Sequence, residues 1–168
     1  MKNIAILMIT ACVITLAACK KDASTKKTSS SVPANGWTLG ATNYTAAFGA
    51  RINSNSGTGP VVGVTAFDAI PSGPSSSANT FVATFLTAPT ANGTYRVVQY
   101  PGTTALTATQ VGITAAGPAG TYTSTGAGAV DVTVTVTSGK IKVVVPAVPV
   151  KKTTAAEELT ATGTITEN

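Results

Sequence analysis

Residues 130–145 read VDVTVTVTSGKIKVVV, and this stretch decides the fold. Val130, Val132, Val134 and Val136 alternate with Asp131, Thr133, Thr135 and Thr137. After Ser138-Gly139, Ile141, Val143 and Val145 alternate with Lys140, Lys142 and Val144. A period of two sends successive side chains to opposite faces of a strand, and a Ser-Gly pair between two such runs turns the chain back on itself. The stretch predicts a β-hairpin with a dry valine face and a wet face of threonine and lysine. Threonine forms strands well and tolerates water.

The same period recurs on either side. Tyr44, Ala46, Phe48, Ala50 and Ile52 alternate with Thr45, Ala47, Gly49 and Arg51. Further strands are expected at 36–39, 61–69, 80–86, 94–100, 106–114, 122–125 and 159–166. Turn formers separate them at 53–60, 71–79, 89–93, 101–102 and 117–120. Residues 153–158 could form one helical turn at most, the low-complexity 71–77 run reads as a loop, and no fixed-period repeat occurs. About 8–10 short strands with no amphipathic helix predict an all-β fold: a single antiparallel β-sandwich or open β-barrel.

The chain opens with MKNIAILMITACVITLAACKKD. A short positive region, Met1-Lys2-Asn3, precedes a mostly apolar run from Ile4 to Ala18. As a helix that run would span about 22 Å, short of a hydrocarbon core of about 30 Å, so it reads as a signal-peptide core. It ends in Leu16-Ala17-Ala18-Cys19, which resembles the lipobox of bacterial lipoproteins, whose cysteine is lipidated and becomes the mature N-terminus. A plain cut after Ala18 would set bulky Leu16 where small residues are wanted. Lipidation also accounts for a cysteine that would otherwise be a lone thiol in an oxidising compartment. The expected organisation is a lipoprotein signal peptide over 1–18, lipidated Cys19 with a flexible polar tether over 19–33, and an all-β domain over 34–168. About 135 residues make one domain.

Of 168 residues only 10% are charged, against a usual quarter, while 43% are hydrophobic. Most of the net charge of +5 lies in the N-terminal part. Lys20, Lys21, Lys26 and Lys27 face only Asp22 there, and lysines beside a lipid anchor lie close to anionic headgroups. The domain itself balances Arg51, Arg96, Lys140, Lys142, Lys151 and Lys152 against Asp68, Asp131, Glu157, Glu158 and Glu167. It has no basic stripe, so nucleic acid is not an expected partner.

The chain contains no histidine, which removes His–Ser and His–Cys catalytic pairs and His-based metal sites. Cys12 lies within the signal, leaving no internal disulfide. No spacing of acids resembles a calcium loop, and GTGP and STGAGA lack the lysine and helix of a phosphate cradle. A glycosidase needs two carboxylates across a cleft, one of them kept protonated. Asp131 sits on the wet hairpin face, Glu157 and Glu158 in a polar loop, Glu167 next to the end, and Asp68 at a strand end. No catalytic residue, metal or cofactor is expected. Flat rings with a polar edge can grip sugars or protein partners. Trp37, the only tryptophan, and Tyr100 and Tyr122, which border the turns at 101–102 and 117–120, are the expected ligand contacts. The remaining rings fall on alternating strand positions and read as core.

Taken whole, the chain resembles the small outer-membrane lipoproteins of Bacteroidetes-type bacteria. The Cys19-Lys20-Lys21-Asp22 junction, the GWTLGATNY opening, ANGTYRVV in mid-chain, the VTVTSGKIKVVVP hairpin and the closing TGTITEN carry that likeness. The resemblance implies outer-membrane anchoring through lipid on Cys19 and a β-sandwich-like domain. The junction does not match the more acidic signal associated with surface display. Two functions follow as expectations. One is a non-catalytic binding or structural module in the cell envelope, with a glycan or an outer-membrane protein as partner. The alternative is a carboxylate-dependent hydrolase acting on polysaccharide.

Overall fold

The computed structural model describes residues 32–70 and 77–168. The expected signal peptide, Cys19, the tether up to Ser31 and loop residues 71–76 lie outside the described residues.

Among the described residues every regular element is a strand, eleven in all. They are β1 (Gly36–Leu39), β2 (Thr42–Thr45), β3 (Phe48–Ser56), β4 (Gly59–Phe67), β5 (Thr80–Phe85), β6 (Gly93–Val97), β7 (Gln110–Gly117), β8 (Gly120–Ser124), β9 (Asp131–Thr137), β10 (Lys140–Lys152) and β11 (Glu158–Thr166). The 130–145 hairpin forms as its alternation requires. Val143 lies opposite Val134 and Lys142 opposite Thr135, with Val132, Val134, Ile141 and Val143 buried. Both central turn residues have positive φ, Ser138 at 51° and Gly139 at 76°. That geometry matches the twist of the flanking strands.

One mixed sheet runs in the order β2-β1-β11-β10-β9-β6-β7-β5-β4-β3 and curls on itself, as a sandwich or open barrel does. Every pairing is antiparallel except β6 with β7. The 13-residue β10 is the spine. One edge pairs with β11 across a bulge between Val145 and Val148, while the other is shared by β9 and then β8. The edge of β7 is divided in the same way between β6 and β8. At that seam the buried Ser124 hydroxyl accepts from the Ile113 N–H at 3.1 Å and donates to the Val98 carbonyl at 2.6 Å. A side chain thus supplies the ladder bonds that the division of the edge removes.

Two expectations need correction. The 44–52 run is two strands, and its inward face changes between them. Tyr44 pairs with buried Trp37 and stacks on it, so this side chain of β2 points into the core. In β3, Gly49 and Arg51 pair with the buried Ala66 and Val64, which leaves Phe48, Ala50 and Ile52 on the outer face. The chain crosses from one side of the curled sheet to the other at Ala46-Ala47, and a period of two is blind to such a crossing. Residues 153–156 form a turn and a bend with no helical turn.

The core is built on a stack. Trp37 lies between Tyr44, at 5.0 Å and 11°, and Phe81, at 6.0 Å and 12°. Gly163 passes beneath it, where any Cβ would meet the Trp37 Cβ at 2.5 Å. Phe85 and Tyr95 meet edge to face at 4.9 Å. Valine, isoleucine and alanine side chains of β4, β5, β7, β9, β10 and β11 fill the rest.

Candidate functional site

Pairing register assembles a row of outward side chains at one end of the spine. Lys151 of β10 lies opposite Thr123 of β8 on one side and Glu158 of β11 on the other. Partners in register share a face, so these three form a floor. The segment after β6 makes one wall. Gln99 bridges to Thr125, the Tyr100 N–H donates to the Ser124 carbonyl at 3.0 Å, and the Tyr100-Pro101 peptide is cis. The Thr153–Ala155 turn makes the other wall. It is held by Thr153 N–H to the Thr121 carbonyl at 3.0 Å and Lys152 N–H to the Glu157 carbonyl at 2.9 Å. Between the walls lies a polar cleft of about 440 Å³, within the range of small-molecule sites.

Tyr100 lines this cleft half-buried, as one of the three rings expected to contact a ligand. Its ring lies on Gly112 of β7, where any Cβ would collide with the ring carbons. The other two rings are elsewhere. Trp37 is 0% exposed at the centre of the aromatic stack, and Tyr122 is 0% exposed on the inner face of β8. The exposed-ring expectation for Tyr122 fails because its position in β8 faces the core; adjacency to the Gly117–Gly120 turn does not decide which face a strand residue takes. Trp37 fails for the same reason, its alternation pointing inward opposite Tyr44. Neither ring contacts solvent.

Tyr122 instead closes the core beneath the cleft. The Lys152 ammonium lies 5.8 Å from its ring centroid and pairs with Glu157 at 3.4 Å. Burial raises the Tyr122 hydroxyl above the ordinary phenol range, and the nearby Glu157 carboxylate adds to the shift. No partner meets hydrogen-bond geometry at that hydroxyl or at the Trp37 indole N–H.

Four of the five acids of the domain hold structure. Asp68 accepts from the Asn79 backbone N–H at 2.7 Å and its side-chain amide at 2.5 Å, tying the end of β4 to the start of β5. Asp131 pairs with Arg96, Glu157 with Lys152, and Glu167 with Arg51. Glu158 and its cross-strand neighbour Lys151 take part in none of the three ion pairs found among the described residues. The sequence puts Glu158 in a polar loop and gives Lys151 no site role; Glu158 instead opens β11, and only the β8–β10–β11 register brings the two beside Tyr100. The one local signal is the placement of Lys151-Lys152 and Glu157-Glu158 on either side of a short turn. Among the described residues, no three His, Cys, Asp or Glu side chains gather as a metal site would need. Comparison with known proteins finds no matching family model, no similar curated protein and no similar solved structure.

Proposed function

We propose that the chain is a lipid-anchored cell-envelope protein whose β-domain is a non-catalytic binding module, with the Tyr100–Lys151–Glu158 cleft as its contact surface. The observation that carries this reading is the cleft itself. Outward polar groups from β8, β10 and β11 converge there beside a ring that rests on a rigid sheet. Binding residues commonly sit where loops meet such a scaffold. A glycan or an outer-membrane protein is the proposed partner. The disposition of the acids favours binding over hydrolysis, because among the described residues Glu158 is the one carboxylate lining the cleft, and glycoside hydrolysis ordinarily takes a pair. The anchor reading rests on Leu16-Ala17-Ala18-Cys19.

Two measurements test the two halves of this reading. Cys19→Ser should move the protein from the membrane fraction to the soluble fraction, and a variant that stays membrane-bound without detergent refutes the anchor. Incubation of the full chain with a panel of polysaccharides should release no reducing sugar. Release that disappears in Glu158→Gln would make the cleft a hydrolase site.

A further inference from the structure

The chemistry of the cleft narrows its occupant, given the binding reading above. We propose that it takes a neutral, hydroxyl-rich sugar: the Tyr100 ring is the stacking face, and Lys151 and Glu158 are donor and acceptor to neighbouring hydroxyls.

Charge balance comes first. Lys151 and Glu158 stand opposite one another on adjacent strands, yet no ion pair joins them. Lys152 is already bound to Glu157. An anionic ligand reaching Lys151 would bring its charge beside the Glu158 carboxylate, and a cationic one reaching Glu158 would meet the Lys151 ammonium. An apolar ligand would strip water from both charges and from Gln99, Thr123 and Thr125 without replacing their hydrogen bonds. A hydroxyl is at once donor and acceptor. Two adjacent hydroxyls can therefore accept from an ammonium and donate to a carboxylate, which satisfies both members of an unbonded pair. The strongest hydrogen bonds available to a neutral ligand are these charge-assisted ones.

Shape comes second. A sugar ring also presents an apolar C–H face, and the Tyr100 ring offers a flat partner for it. That ring is held in place from below, because Gly112 has no side chain to displace it, and from the backbone, through the Tyr100 N–H to the Ser124 carbonyl. A fixed ring loses little freedom on binding. The threonines and Gln99 around the cleft provide further neutral donors and acceptors.

The test applies the full chain, in a detergent without a sugar headgroup, to a printed array of neutral, acidic and amino-bearing oligosaccharides and dipeptides. Binders are then titrated by calorimetry. Neutral oligosaccharides should bind, and Tyr100→Ala, Lys151→Met and Glu158→Gln should each weaken them about tenfold, the weight of one charge-assisted hydrogen bond or one ring face. Tyr100→Phe, which keeps the face, should preserve binding. Lys142→Met, on an outward lysine at the other end of β10, should leave it unchanged. Binding confined to acidic sugars or dipeptides, still dependent on Lys151, would overturn the neutral-sugar assignment while keeping the cleft as a binding site. Sugar binding indifferent to all three cleft variants would overturn the cleft itself, and with it the binding surface proposed above. An array with no binder overturns the sugar inference.

Discussion

Glu167 shows how much a single residue can hold. It sits one position past β11, at an inward point of the alternation, and is 8% exposed. Its carboxylate takes Arg51 in a two-point grip, with Nε and a terminal nitrogen each at 2.8 Å, and accepts from the Ile141 N–H at 2.7 Å. The hydrogen bond from Arg51 holds the Glu167 carboxyl below its ordinary value of 4.5, and the Ile141 N–H adds to the effect against the cost of burial. A carboxyl whose folded pKa is depressed stabilises fully above its unfolded value, and the stabilisation is lost as pH falls through the folded value. Glu167→Gln should therefore cost about 1–3 kcal/mol at pH 7, and its deficit in melting temperature should shrink below about pH 4.5. A deficit that persists unchanged at pH 3 would show that the ion pair is not its cause. Tyr122 gives the opposite case at the same scale. Its hydroxyl is buried without a partner, so Tyr122→Phe should leave the urea midpoint unchanged or raise it, whereas Tyr122→Ala should cost about 3–5 kcal/mol. A clear loss in Tyr122→Phe would mean that the hydroxyl is bonded in solution.

At the scale of elements, the 130–145 hairpin supplies a paired comparison. Val134 is buried opposite Val143, and its neighbour Thr135 is exposed opposite Lys142. Val134→Asp should destabilise by several kcal/mol, since it buries an unpaired charge. Thr135→Asp should change stability by less than about 0.5 kcal/mol, because its charge meets water and a cross-strand lysine. Equal losses in denaturant melts would contradict a one-sided hairpin. This element was legible in sequence because alternation, turn and length all agreed locally. The 44–52 run was only half legible: its alternation is real, but which face is inward depends on a crossing at Ala46-Ala47 that involves partners far along the chain. The candidate site was the least legible. Of the three rings singled out, Tyr100 alone reaches the cleft, and Lys151 and Glu158 gain their meaning from pairings across β8, β10 and β11. Alternation reports that a residue has two faces to choose from; only long-range register reports what stands beside it.

At the scale of the whole molecule, the curled sheet has two poles, each closed by an ion pair. Arg51 with Glu167 closes the pole of the β9–β10 turn, where Arg51 also donates to the Gly139 carbonyl at 2.9 Å. Lys152 with Glu157 closes the other, over the Tyr122 ring. The direction of the strands then orients the protein. Lys142 lies opposite Thr166, and Gly36 lies opposite Thr164, so the chain enters β1 from the Arg51–Glu167 pole. The cleft, between Lys151, Glu158 and Tyr100, belongs to the far pole. An anchor on Cys19 would thus hold the first pole nearer the bilayer and turn the cleft away from it, toward whatever ligand arrives. Residues 32–168 contain no cysteine, so single reporters can be introduced cleanly. Thr137→Cys and Thr154→Cys, both at exposed positions, mark the two poles. With the labelled full chain in liposomes that carry a headgroup quencher, fluorescence at Thr137→Cys should be quenched more strongly than at Thr154→Cys. The 13-residue length of β10 separates the two labels by roughly 40 Å, well beyond the reach of contact quenching. Equal quenching would mean that the domain tumbles freely on its attachment, and stronger quenching at Thr154→Cys would place the cleft against the membrane.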